Sequence, residues 1–164
     1  MSESFKDFGL KPFLMEALTE LNFKTPMPVQ EKLIPVIKEG KSVVGQSQTG
    51  SGKTHAFLLP IFDKIDPAKH EVQAVITTPS RELAYQIYGD AKQLAKHSPA
   101  TIKVGNYVGG TDKKRQIDKL QREQPEIVIG TPGRVLDLIQ SNALDIHTAT
   151  QFVVDEADMT LVLG

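Results

Sequence analysis

The sequence predicts an α/β fold in which a mainly parallel β-sheet is covered by helices on both faces. Short β-branched runs recur along the chain, and stretches with helical periodicity lie between them, an alternation typical of such three-layer folds. With 164 residues, 40% of them hydrophobic, the chain can bury one sizeable core. We therefore expect a single domain over residues 1–164, with a mostly helical region at 1–40 and the sheet within 41–164.

Two helices are expected before the first strand. Residues 10–21 carry apolar side chains at helical spacing, and Pro12 suits a first helical turn. The second helix covers residues 28–38. Pro35 is expected to bend or break this helix, and Gly40 is expected to end it.

After Gly40 the chain alternates between strands and helices. The apolar runs that predict strands are 42–45, 72–78, 102–108, 127–129 and 152–154. The helical patterns between them are 53–65, 81–96, 112–122 and 134–140. The remaining segments are predicted to be ordinary loops.

The composition limits the kinds of site that the chain can carry. Its formal net charge of -1 gives no overall basic field, so any nucleic-acid site must be local. The absence of cysteine excludes disulfides and thiolate metal sites. No apolar run approaches a membrane span, so we expect a cytoplasmic protein without membrane contact. Four histidines lack metal-ligand spacing and are interpreted as ordinary surface or helix positions, namely His55, His70, His97 and His147.

The segment after the first predicted strand is typical of a phosphate-binding loop, because it follows a strand and opens a helix. Glycines at 50 and 52 let backbone N–H groups point at phosphate oxygens, and the helix adds the positive end of its dipole. Lys53 is expected to reach the β- and γ-phosphates, and the Thr54 hydroxyl to coordinate Mg²⁺. The candidate nucleotide-binding residues are Ser47, Gln48, Thr49, Gly50, Ser51, Gly52, Lys53 and Thr54.

Acidic residues follow the last predicted strand, at the edge where open α/β sheets bind ligands. Asp155 is expected to hold Mg²⁺ and to bind the nucleotide through it. Glu156 is expected to orient and deprotonate the attacking water. An acidic tetrad alone is more often a solvated helix start, but the phosphate loop upstream favours the functional interpretation. Lys53, Asp155 and Glu156 are therefore the candidate catalytic residues.

The spelling Asp155-Glu156-Ala157-Asp158 resembles the DEAD-box family of superfamily 2 RNA helicases, of bacterial type. Residues 23–30 are similar to that family's Q motif, in which an aromatic residue stacks on adenine and a glutamine reads its polar edge. The resemblance assigns these roles to Phe23 and Gln30, and Phe5 matches the motif's isolated upstream aromatic. Asn22 stands where the family usually has glycine.

Three further segments resemble family motifs that contact RNA. Residues 79–86 are similar to the motif P-T-R-E-L-A-x-Q, a glycine pair follows the third predicted strand, and residues 131–134 spell T-P-G-R. Ser80 can cap the following helix or meet a phosphate, and Arg81 can contact RNA or make an internal ion pair. The candidate RNA-binding residues are Pro79, Ser80, Arg81, Gly109, Gly110, Thr131 and Arg134. The cluster 113–115 is interpreted as a solvated helix face, with RNA steering as the alternative.

The resemblance implies a RecA-like P-loop NTPase domain that ends just after the DEAD motif. It implies ATP and Mg²⁺ as ligands, RNA contacted through its sugar-phosphate backbone, and a second RecA-like lobe of the same protein as partner. We expect the chain alone to be inactive, and its sheet to be open where a later strand would lie between the strands at 42–45 and 152–154. The alternatives are an ATP-gated RNA clamp without catalysis and an unrelated P-loop NTPase.

Overall fold

The computed structural model describes residues 4–40, 43–46 and 52–156. After a 3₁₀ turn at Phe5–Phe8, the elements in chain order are α1 (Pro12–Glu20), α2 (Pro28–Lys38), β1 (Val43–Gln46), α3 (Lys53–Lys64), β2 (Ala74–Thr77), α4 (Arg81–Ala95), β3 (Val104–Tyr107), α5 (Lys113–Arg122), β4 (Ile127–Gly130), α6 (Pro132–Gln140) and β5 (Gln151–Glu156). Every predicted strand and helix is present, with ends that agree to within two residues. None of the helices within the described ranges has both the length and the apolar character that a membrane span requires.

The five strands form one sheet in the order β1-β5-β2-β4-β3, and every neighbouring pair is parallel. The connections between parallel strands cross over through helices, as such pairs require. All five strands therefore end at the same edge of the sheet, and the loops that follow them meet there.

Alternate residues of the strands face two separate apolar cores. Ala74 and Ile76 of β2 pack on one face, against α1, α2, α3 and α4. Val75 of β2 and Val128 of β4 pack on the other face, against α5 and α6. This period of two, with helices on both sides, confirms the three-layer α/β/α fold.

Helix α2 is not broken at Pro35, so the expected break was wrong. The helix continues to Lys38, and the Glu39 N–H donates to the Pro35 carbonyl oxygen at 3.2 Å. Ile34 and Ile37 on either side are fully buried, and we attribute the continuity to this packing, which offsets the hydrogen bond that proline cannot make. Gly40, with φ +89°, ends the helical segment as predicted.

The sheet is not open between β1 and β5, which corrects a second expectation. The two strands pair directly, with Val43 opposite Val153 and Gln46 opposite Glu156. Direct pairing gives hydrogen-bond partners to backbone groups that would otherwise be buried and unpaired. The described strands thus make a continuous sheet.

Candidate functional site

The loops at the carboxyl edge of the sheet carry most of the predicted site residues. Segment 79–81 follows β2, segment 109–110 follows β3 and segment 131–134 follows β4. Asp155 lies in β5, and Lys53 opens α3. Five predicted residues of the phosphate loop, Ser47, Gln48, Thr49, Gly50 and Ser51, lie outside the described residues, as does the side chain of Glu156.

Lys53 and Asp155 form an ion pair at this edge. The Lys53 Nζ lies 3.2 Å from Asp155 Oδ1, although 102 residues separate them in the chain. The Asp155 side chain is 1% exposed and the Lys53 side chain 12%. The second carboxylate oxygen, Oδ2, is buried and has no hydrogen-bond partner among the described residues. A buried anionic oxygen without a partner is suited to a cation or a bound water.

Gly52 is the N-cap of α3 and has a left-handed backbone, with φ +76°. It makes no side-chain cap, and the first N–H groups of α3 have no side-chain cap from another described residue, so they are suited to an anion. A Cβ at this position would lie 2.4 Å from Met27 Sδ and 2.9 Å from Gln30 Nε2. A glycine is favoured here by its left-handed conformation and because the missing Cβ leaves room for the side chains of Met27 and Gln30.

Gln30 connects the start of α2 to the end of the phosphate loop. Its Oε1 accepts from the Met27 N–H at 2.8 Å, and its Nε2 donates to the Gly52 carbonyl at 3.2 Å. The residue is 2% exposed. The structure therefore places Gln30 beside Gly52, with two backbone contacts that the sequence did not indicate.

Phe23 lies next to α3 and contacts a histidine. Its ring meets the His55 ring edge-on, with centroids 5.0 Å apart. His55 is 9% exposed, so its interpretation as an ordinary surface or helix position was incomplete: it is a buried helix residue. Burial lowers the pKa of its imidazole, and the nearby Asp90 carboxylate opposes that shift. Asn22 adopts φ +61° in the turn before Phe23, a conformation that asparagine tolerates better than most residues.

Three loops are joined by hydrogen bonds on the other side of the edge. Arg81 Nη1 donates to the Gly109 carbonyl at 3.2 Å, and the Gly109 N–H donates to Thr131 Oγ1 at 3.2 Å. Within the described part of the chain, Arg81 therefore makes an internal hydrogen bond to a carbonyl rather than an ion pair. Gly110 has φ +83°, and a Cβ there would lie 2.4 Å from Arg81 Nη1. Ser80 Oγ accepts from the Leu83 N–H at 3.2 Å, which confirms it as the N-cap of α4.

Arg134 is held by two residues that the sequence did not single out. Its Nη1 donates to the Thr111 carbonyl at 3.1 Å and to Gln116 Oε1 at 2.8 Å. Gln116 Nε2 in turn donates to Thr111 Oγ1 at 2.8 Å. The arginine thus fixes the loop after β3 against the start of α6. Thr111 and Gln116 stood close to the glycine pair in sequence, but only the fold shows that they contact Arg134.

Among the described residues, no group of three or more His, Cys, Asp or Glu side chains is placed to hold a metal ion. Asp155 offers one free carboxylate oxygen, and Thr54 lies beside Lys53 in the first turn of α3. A divalent ion at this edge would need further ligands from phosphate oxygens and water, as Mg²⁺ in nucleotide sites usually has.

Comparison with known proteins gives consistent results. The family model described as DEAD/DEAH box helicase matches residues 27–164. The chain is 55% identical over 160 residues to the DEAD-box ATP-dependent RNA helicase CshB of Listeria monocytogenes, covering 98% of this chain and 37% of that protein. The CshB of Bacillus subtilis is 50% identical over 161 residues, with 98% of this chain and 36% of that protein covered.

Solved structures give the same similarity. A DEAD box protein from Methanococcus jannaschii matches 95% of this chain and 50% of its own, with a TM-score of 0.82 at 26% identity. A Saccharomyces cerevisiae Dbp5 variant bound to RNA and ADP BeF3 matches 97% of this chain and 47% of its own, with a TM-score of 0.79 at 25% identity. The chain spans little more than a third of the length of the curated relatives it matches.

Proposed function

Because the chain belongs to the DEAD/DEAH box helicase family, we propose that it is the ATP-binding and RNA-contacting lobe of an ATP-dependent RNA helicase. The observation that carries this proposal is the ion pair between Lys53 and the buried Asp155 at the carboxyl edge of the sheet. A lysine from a helix N-terminus facing a strand-end aspartate is the arrangement that nucleoside triphosphate hydrolysis uses. Its relatives are named as RNA helicases, which also supports a cytoplasmic location.

We propose that the triphosphate of ATP binds at the N-terminus of α3. Residues 47–52 and the first N–H groups of α3 would cradle the phosphates, and Lys53 would turn from Asp155 towards the β- and γ-phosphates. Adenine would lie against Phe23 and within reach of the Gln30 amide, which is already fixed beside Gly52. Nucleotide binding therefore exchanges one partner of Lys53 for another.

The residues at this edge fit a magnesium ion. Thr54 would supply a hydroxyl and Asp155 its unpartnered Oδ2, directly or through water. The ion would neutralise charge on the phosphate oxygens during transfer. Glu156, the next residue of β5, would orient the attacking water and take its proton.

RNA would bind across the loops after β2, β3 and β4. Arg81, Gly110, Thr131 and the free N–H groups at the start of α6 would contact phosphate and ribose, with Arg134 holding the loops in place. Contacts of this kind carry little sequence preference, and the 2′-hydroxyl would distinguish RNA from DNA. A second RecA-like lobe would close over both ligands and supply the positive charge opposite Lys53.

The experiment uses a chimera in which this chain replaces the matching 160 residues of the Listeria relative. We expect ATP hydrolysis that single-stranded RNA stimulates, and loss of ATP binding in the Lys53→Met variant, measured by displacement of a fluorescent ATP analogue. The chain without a second lobe should bind ATP without turning it over. A chimera that binds neither ATP nor RNA, although circular dichroism shows it folded, would contradict the proposal.

A further inference from the structure

A groove runs along the outer edge of the sheet, beside the proposed RNA surface. It encloses about 600 Å³ between α4 and α5, and the edge strand β3 forms its floor. Tyr85 and Tyr88 line the α4 side, and Arg115, Lys119 and Arg122 line the α5 side. We call it the α4–α5 groove.

The α5 side of the groove concentrates positive charge. Arg115, Lys119 and Arg122 are spaced by four and three residues, so they share one face of the helix, and all three are exposed. None of them makes an ion pair with another described residue. The two acidic groups at the groove are already engaged, since the Asp112 side chain caps α5 and Glu123 pairs with Lys103. In a chain of net charge -1, this face is a local cationic surface.

The α4 side offers an aromatic surface. Tyr85 is 52% exposed and lies one helical turn after Arg81, on the side of α4 that faces the groove. A half-exposed ring next to a line of cations is the combination with which proteins bind single-stranded nucleic acid, because bases stack on the ring while phosphates meet the charges.

The groove is continuous with the surface to which we assign RNA. Thr111 and Gln116 line it, and the same two residues hold Arg134. A strand of RNA that leaves Gly110 and Thr131 therefore reaches the groove across Thr111 and Gln116, and passes the Asp112 carboxylate that caps α5.

An extended acidic protein segment that pairs with β3 is the competing occupant. In a parallel ladder, alternate residues face away from the neighbour, so backbone groups of Val104 and Asn106 point outward. However, β3 has only four residues, contains Gly105 and follows Lys103. A short edge strand with a glycine and a lysine is protected against strand addition. The charge and the tyrosine thus favour RNA.

We propose that the α4–α5 groove binds additional nucleotides of the same RNA, with Arg115, Lys119 and Arg122 at phosphates and a base stacked on Tyr85. The proposal rests on the proposed function and extends the RNA path beyond the loops at the strand ends. It predicts that long RNA gains affinity from the groove and that short RNA does not.

The test measures binding of fluorescein-labelled oligoadenylates of about 6 and about 12 nucleotides to the Listeria chimera over a range of KCl concentrations. A variant with Arg115→Gln, Lys119→Gln and Arg122→Gln should reduce the slope of log affinity against log salt for the longer RNA by about 2, at about 0.7 per phosphate contact. The slope for the shorter RNA should stay unchanged. Tyr85→Leu should lower the affinity for the longer RNA about 5- to 150-fold and leave the slope of log affinity against log salt unchanged.

The matched control removes three positive charges elsewhere, as Lys6→Gln, Lys64→Gln and Lys69→Gln, and should behave like the parent for both RNAs. If the triple variant at Arg115, Lys119 and Arg122 lowered the affinity for both RNAs equally, or changed neither affinity, the groove proposal would be overturned and the proposed function would still stand. A groove that instead binds a labelled alternating Glu-Val peptide, through the same three cations, would assign it to a protein strand. If the folded parent chimera bound neither RNA, the proposed function would fail and the groove proposal with it.

Discussion

Replacing Gly52 by alanine tests whether the end of the phosphate loop is held against α2 in the way the structure shows. The glycine has φ +76°, and the added Cβ would lie 2.4 Å from Met27 Sδ and 2.9 Å from Gln30 Nε2. Both neighbours are side-chain atoms, so the substitution would displace them rather than unfold the backbone. The displaced Gln30 would lose its hydrogen bond to the Gly52 carbonyl.

The cost can be worked out from these contacts. A left-handed conformation costs alanine about 1–2 kcal/mol, and losing the Gln30 hydrogen bond costs about 0.5–1.5 kcal/mol. The lower conformational entropy of the unfolded alanine chain stabilises the folded state by about 0.4–1 kcal/mol, which offsets part of these costs. Met27 is 41% exposed, so its thioether can move into solvent at little cost. We expect Gly52→Ala to reduce the free energy of unfolding by about 2 kcal/mol.

The assay is urea unfolding of the chain without nucleotide, followed by circular dichroism because the sequence has no tryptophan. The matched control is Gly89→Ala, inside α4, where a Cβ would meet no atom within 4 Å. That variant should be more stable than the parent by about 0.5–1 kcal/mol, because alanine favours the helix. A Gly52→Ala chain as stable as the parent, or a destabilised Gly89→Ala chain, would refute the reasoning.

Three other predictions follow from the site. Gln30→Ala should abolish the preference for ATP over GTP, because guanine and adenine differ at the edge that the amide would read. The preference is measured by competition of ATP and GTP with a fluorescent nucleotide, and a preference that persists in the variant would exclude Gln30 from base recognition. Glu156→Gln in the chimera should keep ATP affinity and lower kcat by about 10²–10⁴, since the amide cannot accept a proton; steady-state turnover at the parent rate would exclude Glu156 as the base. Burial lowers the pKa of His55, so the folded state favours the neutral ring and the free energy of unfolding should decline as pH falls below about 6.5. Urea unfolding of His55→Leu should show a weaker decline, and an equal decline in both chains would contradict the assignment of the pH dependence to His55. Asp90 contributes the opposite trend at lower pH, because burial raises the pKa of its carboxyl.

The edge of the sheet at which the described site residues lie could be predicted from the sequence, because a parallel sheet leaves little choice. Once the strands are identified, the residues that follow them must meet at one edge. Lys53 and Asp155 could therefore be assigned to the same edge from sequence, whereas their ion pair is a finding of the structure. Their individual roles in binding and catalysis stay predictions.

Contacts between loops could not be predicted in the same way, because they depend on how the helices pack. Arg134 reaches Thr111 and Gln116 only because α6 and α5 lie side by side on one face of the sheet. His55 belongs to the first turn of α3, where a polar residue is usually exposed, and it is buried because Phe23 packs over it. The break expected at Pro35 does not occur for a related reason, since local propensity is weaker than the burial of Ile34 and Ile37.

The two backbone contacts of Gln30 have a consequence for how a base can be recognised. A carboxamide is nearly symmetric in shape, so a freely rotating glutamine can present its donor and acceptor in either order and pair with adenine or guanine alike. Here the Met27 N–H holds the oxygen and the Gly52 carbonyl holds the nitrogen, while each atom keeps one further hydrogen-bonding position. Turning the amide over would break both hydrogen bonds, at about 1–3 kcal/mol together. Two backbone groups that a nucleotide need not touch would therefore fix which way the Gln30 amide presents its donor and acceptor to a base. That orientation would favour one base over the other by about 5- to 150-fold in affinity.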